Sequence, residues 1–138
     1  MIHKNNDCIF CKIISGERPC KKVYEDEYTL VTMDKAGDAD GHMLVMPKKH
    51  VNNIMDTDIE SLNQMMATVK KVSNHCVDNC GYEGINLIGT NGPGADQTVP
   101  HFHMHVIPRK KDDGIEAWPE FGGAKHDMDE IFEKIKMM

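Results

Sequence analysis

Three of the chain's eight histidines stand on alternate residues in "VPHFHMHVIPR", positions 99–109, as His101, His103 and His105. Imidazole can ligate a metal, carry a proton near neutral pH, or attack an electrophile through one ring nitrogen while the other is held by an acceptor. Alternation with Phe102, Met104 and Val106 reads as a short strand, because successive strand side chains point to opposite faces. All three imidazoles then share one face, and the apolar residues between them cover a core on the other. A metal held by the row alone is strained, since the outer pair spans about 13 Å of strand. Division of labour is easier, with a middle histidine as nucleophile and a neighbour orienting it. The competing view is an exposed strand that carries histidines by accident.

A second pair with chemical potential is Cys8 and Cys11, a C-x-x-C. Such a pair serves thiol exchange or supplies two zinc ligands. The Gly-rich "GTNGPG" at 89–94 departs from the P-loop pattern, which excludes a Walker-type ATPase.

The elements that must position these residues are legible in outline. "DCIFCKIISGE" predicts a short helix capped by Asp7 and stopped by Gly16. "YTLVTM" at 28–33 and "HMLVMP" at 42–47 have strand composition, and the turn-rich "DKAGDADG" between them predicts a hairpin. From Thr57, a capping box with Glu60 opens a helix whose Ile59, Leu62, Met65, Met66, Val69, Val72 and Cys76 recur at helical spacing. "EGINLI" at 83–88 restarts strand character ahead of the histidine row. Near the end Asp127 and Glu130 cap a helix that lines up Met128, Ile131, Phe132 and Ile135. The expected fold class is α+β, an antiparallel sheet with helices packed against one face.

The 138 residues suit one domain without internal repeats. A net charge of −6 opposes extended nucleic-acid binding, which depends on neutralising many phosphates, but it allows a single nucleotide in a local pocket. No run approaches a membrane-spanning length, "MIHKNNDCIF" lacks a signal-peptide core, and five cysteines form no even disulfide framework. These point to a cytoplasmic, reducing location. The eleven methionines read as flexible core filler.

"HFHMHV" resembles the histidine triad motif of the HIT superfamily, in which His-x-His-x-His is followed by two apolar positions, here Val106 and Ile107. The resemblance extends through "CIFCKIISGERPCKKVYEDE", "GHMLVMPKKH" and "NLIGTNGPGADQTVPHFHMHVIPR", in that order. It is strongest for the small nucleoside phosphoramidases, or histidine triad nucleotide-binding proteins. A single HIT domain over 1–138 is implied, with its most recognisable part at 8–109 and an extension at 110–138. So is a homodimer with one sheet continued across the two-fold axis. The implied activity is hydrolysis of adenosine 5′-phosphoramidate-type P–N bonds through a covalent histidine-nucleotidyl intermediate, with purine nucleoside monophosphates bound. A dinucleoside polyphosphate hydrolase and a nucleotide-binding regulatory dimer are the alternatives. Adenylate removal from nucleic-acid ends shares the chemistry but lacks support from the acidic charge balance.

By position, His103 resembles the family nucleophile, His101 the histidine that supports it, His105 the member near the leaving group, and His42 the additional histidine on the adjacent strand. Asp34 resembles a ribose-binding carboxylate, although local chemistry equally suits it to turn capping. Asn91, Gln97 and Thr98 resemble residues that meet the α-phosphate, helped by backbone donors from Gly94 to Thr98. Ile9 and Phe10, with Ile14, Val31 or Leu44, are candidates to cover the base. Cys8, Cys11, His50 and His101 resemble a structural Zn2+ arrangement of bacterial-type members; no organic cofactor is expected. Trp118 and Pro119 resemble a tail that approaches the partner's substrate site, or else they pack locally.

Overall fold

A computed structural model describes residues 7–138. Its elements, in chain order, are α1 (Ile9–Ser15), β1 (Lys22–Glu25), β2 (Thr29–Met33), β3 (Met43–Pro47), α2 (Ile59–Asn79), β4 (Gly84–Ile88), a 3-10 turn (Pro93–Ala95), β5 (Met104–Arg109) and α3 (Met128–Ile135). The strands form one antiparallel sheet in the order β1-β2-β3-β5-β4. The expected α+β class and the 29–47 hairpin are both present.

Alternation along β2, β3 and β5 sorts the apolar residues onto two faces. On one, Val31, Met43, Val45, Phe102 and Val106 pack against Met65, Val69, Val72 and Cys76 of α2. Burying each of these larger side chains contributes about 1.5–3 kcal/mol, which makes this layer the main support of the sheet. On the other, Leu30, Leu44 and Met46 meet Cys8, Phe10 and Cys11 around α1. Helix placement on one face therefore holds for α2, while the short α1 lies over the opposite face. That division leaves room beside α1 for a cleft floored by the sheet. Val31 is fully buried in the α2-side core, so it cannot cover a base there.

Two helix starts differ from expectation. The α1 cap is Cys8, whose sulfur accepts from Cys11 N, rather than Asp7. The α2 cap is Asp58, accepting from Ser61 N, rather than Thr57, whose hydroxyl donates to the Asn53 carbonyl instead. A carboxylate is as good a cap as a hydroxyl, and the Asn53 carbonyl had already claimed Thr57. Gly16 closes α1 in the left-handed conformation as expected.

The histidine row is only half strand. β5 begins at Met104, where it pairs with Val45. Continuing that register would set Phe102 opposite Pro47, which has no N–H to offer a ladder. The chain leaves the sheet there, and Phe102 N donates to the Val51 carbonyl at 2.8 Å. Extended alternation persists, so Phe102 enters the α2-side core while His101 and His103 remain on the α1 side.

Candidate functional site

Register explains why the polar groups converge. Thr32 pairs with Leu44, and Leu44 with His105, so these three side chains stand in a row on one sheet face. Above that row lies a cavity of about 1180 Å³, walled by Ile9, Phe10, Ile13, Asp34, Thr98, Val99, His103 and His105. Its size suits a nucleotide-scale ligand. Of the expected base-covering residues, Ile9, Phe10 and Leu44 line this cleft, whereas Ile14 packs against the α1-side core. Asp96, within the stretch expected near the phosphate, also reaches it, as do Pro19, Cys20, Lys21, Lys35 and Thr90, which nothing in their local sequence marked.

His103 is buried, with its ring edge-on to Phe10 at a centroid distance of 5.0 Å. Its Nδ1–H donates to the main-chain carbonyl of His101 at 2.7 Å. Nδ1 thus carries the proton, and Nε2 is the nitrogen left with a lone pair. The hydrogen bond that His101 offers His103 comes from its backbone carbonyl.

The His101 imidazole turns the other way. Its Nε2–H donates to the Pro47 carbonyl at 2.8 Å, which directs its Nδ1 toward Cys8 Sγ at 3.4 Å, Cys11 Sγ at 3.6 Å and His50 Nδ1 at 3.2 Å. Cys11 Sγ lies 3.3 Å from His50 Nδ1, and all four ligand atoms fall within 4.8 Å of one another. A tetrahedral zinc with these ligand types has edges of roughly 3.3–3.8 Å, given its bond lengths. The donor set fits such an ion, and the Pro47 carbonyl fixes the ligating tautomer as outer partners of metal-bound histidines do. Burial pushes His101 down to about 4, so it stays neutral and able to ligate through the physiological range.

His42, His105 and Asp34 form a second cluster of ligand-type atoms within 4.8 Å, but its hydrogen bonding describes a proton network. His42 Nδ1–H donates to Asp38 Oδ1 at 2.7 Å, and His42 Nε2 is 2.9 Å from His105 Nδ1. Asp34 Oδ2 lies 3.4 Å and 3.8 Å from those two facing nitrogens. Burial, then His103 and His42, lower the His105 pKa, against the opposing pull of Asp34 and Asp38. Gly41 lets the hairpin deliver His42: at φ +75°, a Cβ there would lie 3.0 Å from Pro108 Cγ.

Asp34 serves both readings at once. Its Oδ1 caps the turn by accepting from Ala36 N at 2.8 Å, while the carboxylate still lines the cleft. Thr98 is in the cleft as well. Asn91 and Gln97 do not line it. Asn91 Oδ1 accepts from Ile54 N at 2.8 Å. Gln97 Oε1 accepts from Gly92 N at 2.8 Å and Asn53 Nδ2 at 3.3 Å, and its Nε2 donates to the carbonyls of Asn52 at 2.6 Å and Val99 at 2.9 Å. With both amide hydrogens engaged, Gln97 braces the loop rather than offering a donor to phosphate. The backbone N–H groups of Ala95, Asp96 and Gln97 likewise bond within the loop, to Gly92 and Pro93 carbonyls. Trp118 is 79% exposed and meets Phe121 edge-on at 5.7 Å, outside the cleft of its own chain.

An antiparallel sheet floors a nucleotide-sized cleft that contains a tautomer-fixed histidine, and this defines an α+β protein of histidine-centred transfer or hydrolysis chemistry. The HIT domain model matches residues 15–112; the chain belongs to the HIT domain family. An uncharacterised HIT-like protein of Methanocaldococcus jannaschii is 42% identical, with 94% of this chain and 98% of that one covered. The adenosine 5′-monophosphoramidase of Schizosaccharomyces pombe is 35% identical over 94% of this chain and 98% of its own. An adenylylsulfatase of Arabidopsis thaliana is 42% identical over 81% of this chain but 57% of its own length. Among solved structures, a HIT family protein of Bacillus subtilis superposes with a TM-score of 0.78 at 38% identity, with 95% of each chain covered. A Zn-bound histidine triad protein of Mycobacterium smegmatis gives 0.75 at 34% identity, with 82% of each covered. No helix among the described residues is long and apolar enough to cross a membrane.

Proposed function

We propose that this HIT-family protein is a nucleotide hydrolase that cleaves the P–N bond of adenosine 5′-phosphoramidate-type substrates. The observation that carries the reading is the 2.7 Å bond from His103 Nδ1 to the His101 carbonyl, which leaves Nε2 as the nucleophile. Nε2 attacks the α-phosphorus, the P–N bond breaks, and the leaving amine takes a proton from Nε2 of His105. Water then attacks the histidine-nucleotidyl bond, gives its proton to His105, and releases the monophosphate with His103 restored. Asp34 accepts hydrogen bonds from ribose hydroxyls, and Ile9, Phe10 and Leu44 cover the base.

The monophosphoramidase relative, aligned over nearly its whole length, supports this substrate class. The adenylylsulfatase relative favours a second reading, in which the same nucleophile displaces sulfate from phosphorus. A dinucleoside polyphosphate, with a nucleotide as leaving group, is a third substrate for the same step. Initial rates on the three, measured in competition, separate them. The reading fails if none is turned over faster by the wild-type protein than by its His103→Ala variant. Tight monophosphate binding without any turnover would instead favour a regulatory dimer.

The zinc set Cys8, Cys11, His50 and His101 holds a structural ion in this proposal, staples α1 to the loop after β3, and leaves His103 to chemistry. The protein acts as a cytoplasmic homodimer, with the sheet continued through an outer strand. β4 is one such strand, and its Leu87 is 46% exposed. Light scattering at micromolar concentration tests the dimer, and a persistent monomer would remove it.

A further inference from the structure

The turn "DKAGDADG" at 34–41 carries one carboxylate whose position the reaction above leaves unexplained. Asp38 Oδ1 sits 2.7 Å from His42 Nδ1, although the Asp38 side chain is 62% exposed. We propose that Asp38 is a positioning residue for acid catalysis: it fixes the His42 tautomer and balances a positive charge on His42 while neutral His105 hands its proton to the leaving group. The proposal rests on the phosphoramidase reading.

The hydrogen-bond pattern leads there step by step. A carboxylate only accepts, so His42 Nδ1 keeps its hydrogen. His42 Nε2 faces His105 Nδ1 at 2.9 Å, and the two nitrogens share one hydrogen. When the pair holds no extra proton, that hydrogen is on His105, and His105 Nε2 is bare. When the pair gains a proton, two arrangements compete. Either His105 carries the charge next to the substrate, or the shared hydrogen shifts to His42 and His105 is a neutral Nε2–H donor. Asp38 on one side, and Asp34 Oδ2 at 3.4 Å on the other, favour the second arrangement by placing opposite charges against His42. His103, whose ring is 5.1 Å from that of His105, disfavours a charge on His105 once it becomes cationic as a nucleotidyl-histidine. Donation is then balanced: the leaving nitrogen takes the hydrogen of His105 Nε2, His105 Nδ1 takes the shared hydrogen from His42, and His42 returns to neutral with its Nδ1–H still on Asp38. An outer carboxylate that orients and stabilises an imidazolium in this way is the same arrangement that activates a His–Asp pair in acyl transfer.

The test compares leaving groups in Asp38→Asn, whose amide oxygen can still accept from His42 but carries no charge. Adenosine 5′-phosphoramidate releases an amine that needs the proton, whereas a p-nitrophenyl ester of adenosine 5′-monophosphate releases an anion that does not. Turnover of the phosphoramidate should fall about tenfold near pH 8, less than the roughly 10²–10⁴-fold of a general acid itself because Asp38 acts through His42, and the ester should stay within about twofold. The alkaline limb of the phosphoramidate profile should also move about half a pH unit lower, because removing a partly solvated negative charge makes the imidazole pair easier to deprotonate. Parallel losses on both substrates with an unmoved profile would make Asp38 merely structural and overturn the proposal. Should the wild-type protein hydrolyse no P–N substrate, the functional reading fails by itself. Histidine 15N spectra then decide the Asp38 contact separately, because Asp38→Ala should release His42 from its Nδ1–H form, and an unchanged tautomer would overturn it.

Discussion

The imidazole of His103 is bound by the backbone of His101, through a 2.7 Å contact between Nδ1 and a carbonyl oxygen, while the His101 side chain faces the cysteine cluster. One histidine therefore serves two sites through different atoms. Removal of the His103 ring should abolish chemistry without emptying the cleft. His103→Ala is expected to lose at least about 10³-fold in kcat, as nucleophile deletions do, and to form no nucleotidyl adduct visible by intact mass. Monophosphate binding should persist, because Asp34 and the apolar wall are untouched. Turnover close to wild type in a folded His103→Ala protein would rule out covalent catalysis at this residue.

Asp34 predicts sugar discrimination. With Oδ1 held by Ala36 N, the carboxylate is fixed where ribose hydroxyls would donate to it. Asp34→Asn should raise KM by about tenfold, the cost of a charged hydrogen bond weakened to a neutral one. A 2′,3′-dideoxy substrate should be poor for the wild-type protein but nearly as good as the ribose form for the variant. Equal discrimination in both proteins would place the sugar elsewhere.

Gln97 offers the opposite signature. Its four loop contacts make it a brace, so Gln97→Ala should lower unfolding stability by about 1–3 kcal/mol, measured by urea titration. KM for the nucleotide should change by less than about threefold, since no donor is left for phosphate. A large KM effect with unchanged stability would return Gln97 to the binding site.

Such contrasts mark what the sequence can convey. The face shared by His101, His103 and His105 followed from alternation alone, and the hairpin that presents His42 followed from strand composition on either side of a turn-rich stretch. Strand pairing did not, because the break at His103 depends on Pro47 standing opposite Phe102 across the sheet, a partner unknown until register is known. The exposed Met128, Phe132 and Ile135 face of α3 is a related case: periodicity predicted the helix but could not say that it stays uncovered in one chain. Asp38 read only as a turn residue, since a loop carboxylate gains a role only when a particular imidazole arrives beside it. Gln97 and Asn91 occupied the right loop, yet whether an amide turns inward or toward ligand is decided by neighbours such as Asn52 and Ile54 that lie far away in sequence.

Buried His101 predicts an acid-sensitive fold. Burial holds it down to about 4, against about 6.5 in an unfolded chain. Between those values the unfolded chain binds a proton that the folded chain refuses, so lowering pH through this window favours unfolding. The loss is absent above about pH 6.5 and approaches roughly 3 kcal/mol near pH 4. The lowered carboxyls of Asp26 and Asp56 act separately, since their unfolded value is 3.8 and their stabilisation is lost only as pH falls below it. Urea midpoints in the presence of chelator should decline from about pH 6.5 to pH 4, a window that begins above the reach of the carboxyls and that His101 shares with His105, whose pKa burial also lowers. A flat midpoint across that range would contradict a neutral, buried His101.

The cysteine cluster is tested by metal content and catalysis together. Cys8, Cys11, His50 and His101 approach one another at distances close to the edges of a zinc tetrahedron, so untagged protein purified without chelator should contain one zinc per chain by elemental analysis. Cys8→Ser combined with Cys11→Ser should contain none and unfold at a lower temperature, because an ion that binds only the assembled ligands stabilises the folded chain. Turnover by the folded fraction should nevertheless remain within about tenfold of wild type, a modest loss for a change outside the reacting groups. The reason is the split role of His101: its main-chain carbonyl still holds His103 Nδ1 when its side chain has lost the metal. Zinc retained by the double variant would mean that these thiols are not the ligands, and its absence from the wild-type protein would remove the ion altogether. Loss of catalysis in proportion to zinc, with folding intact, would instead show that the metal orients the nucleophile directly.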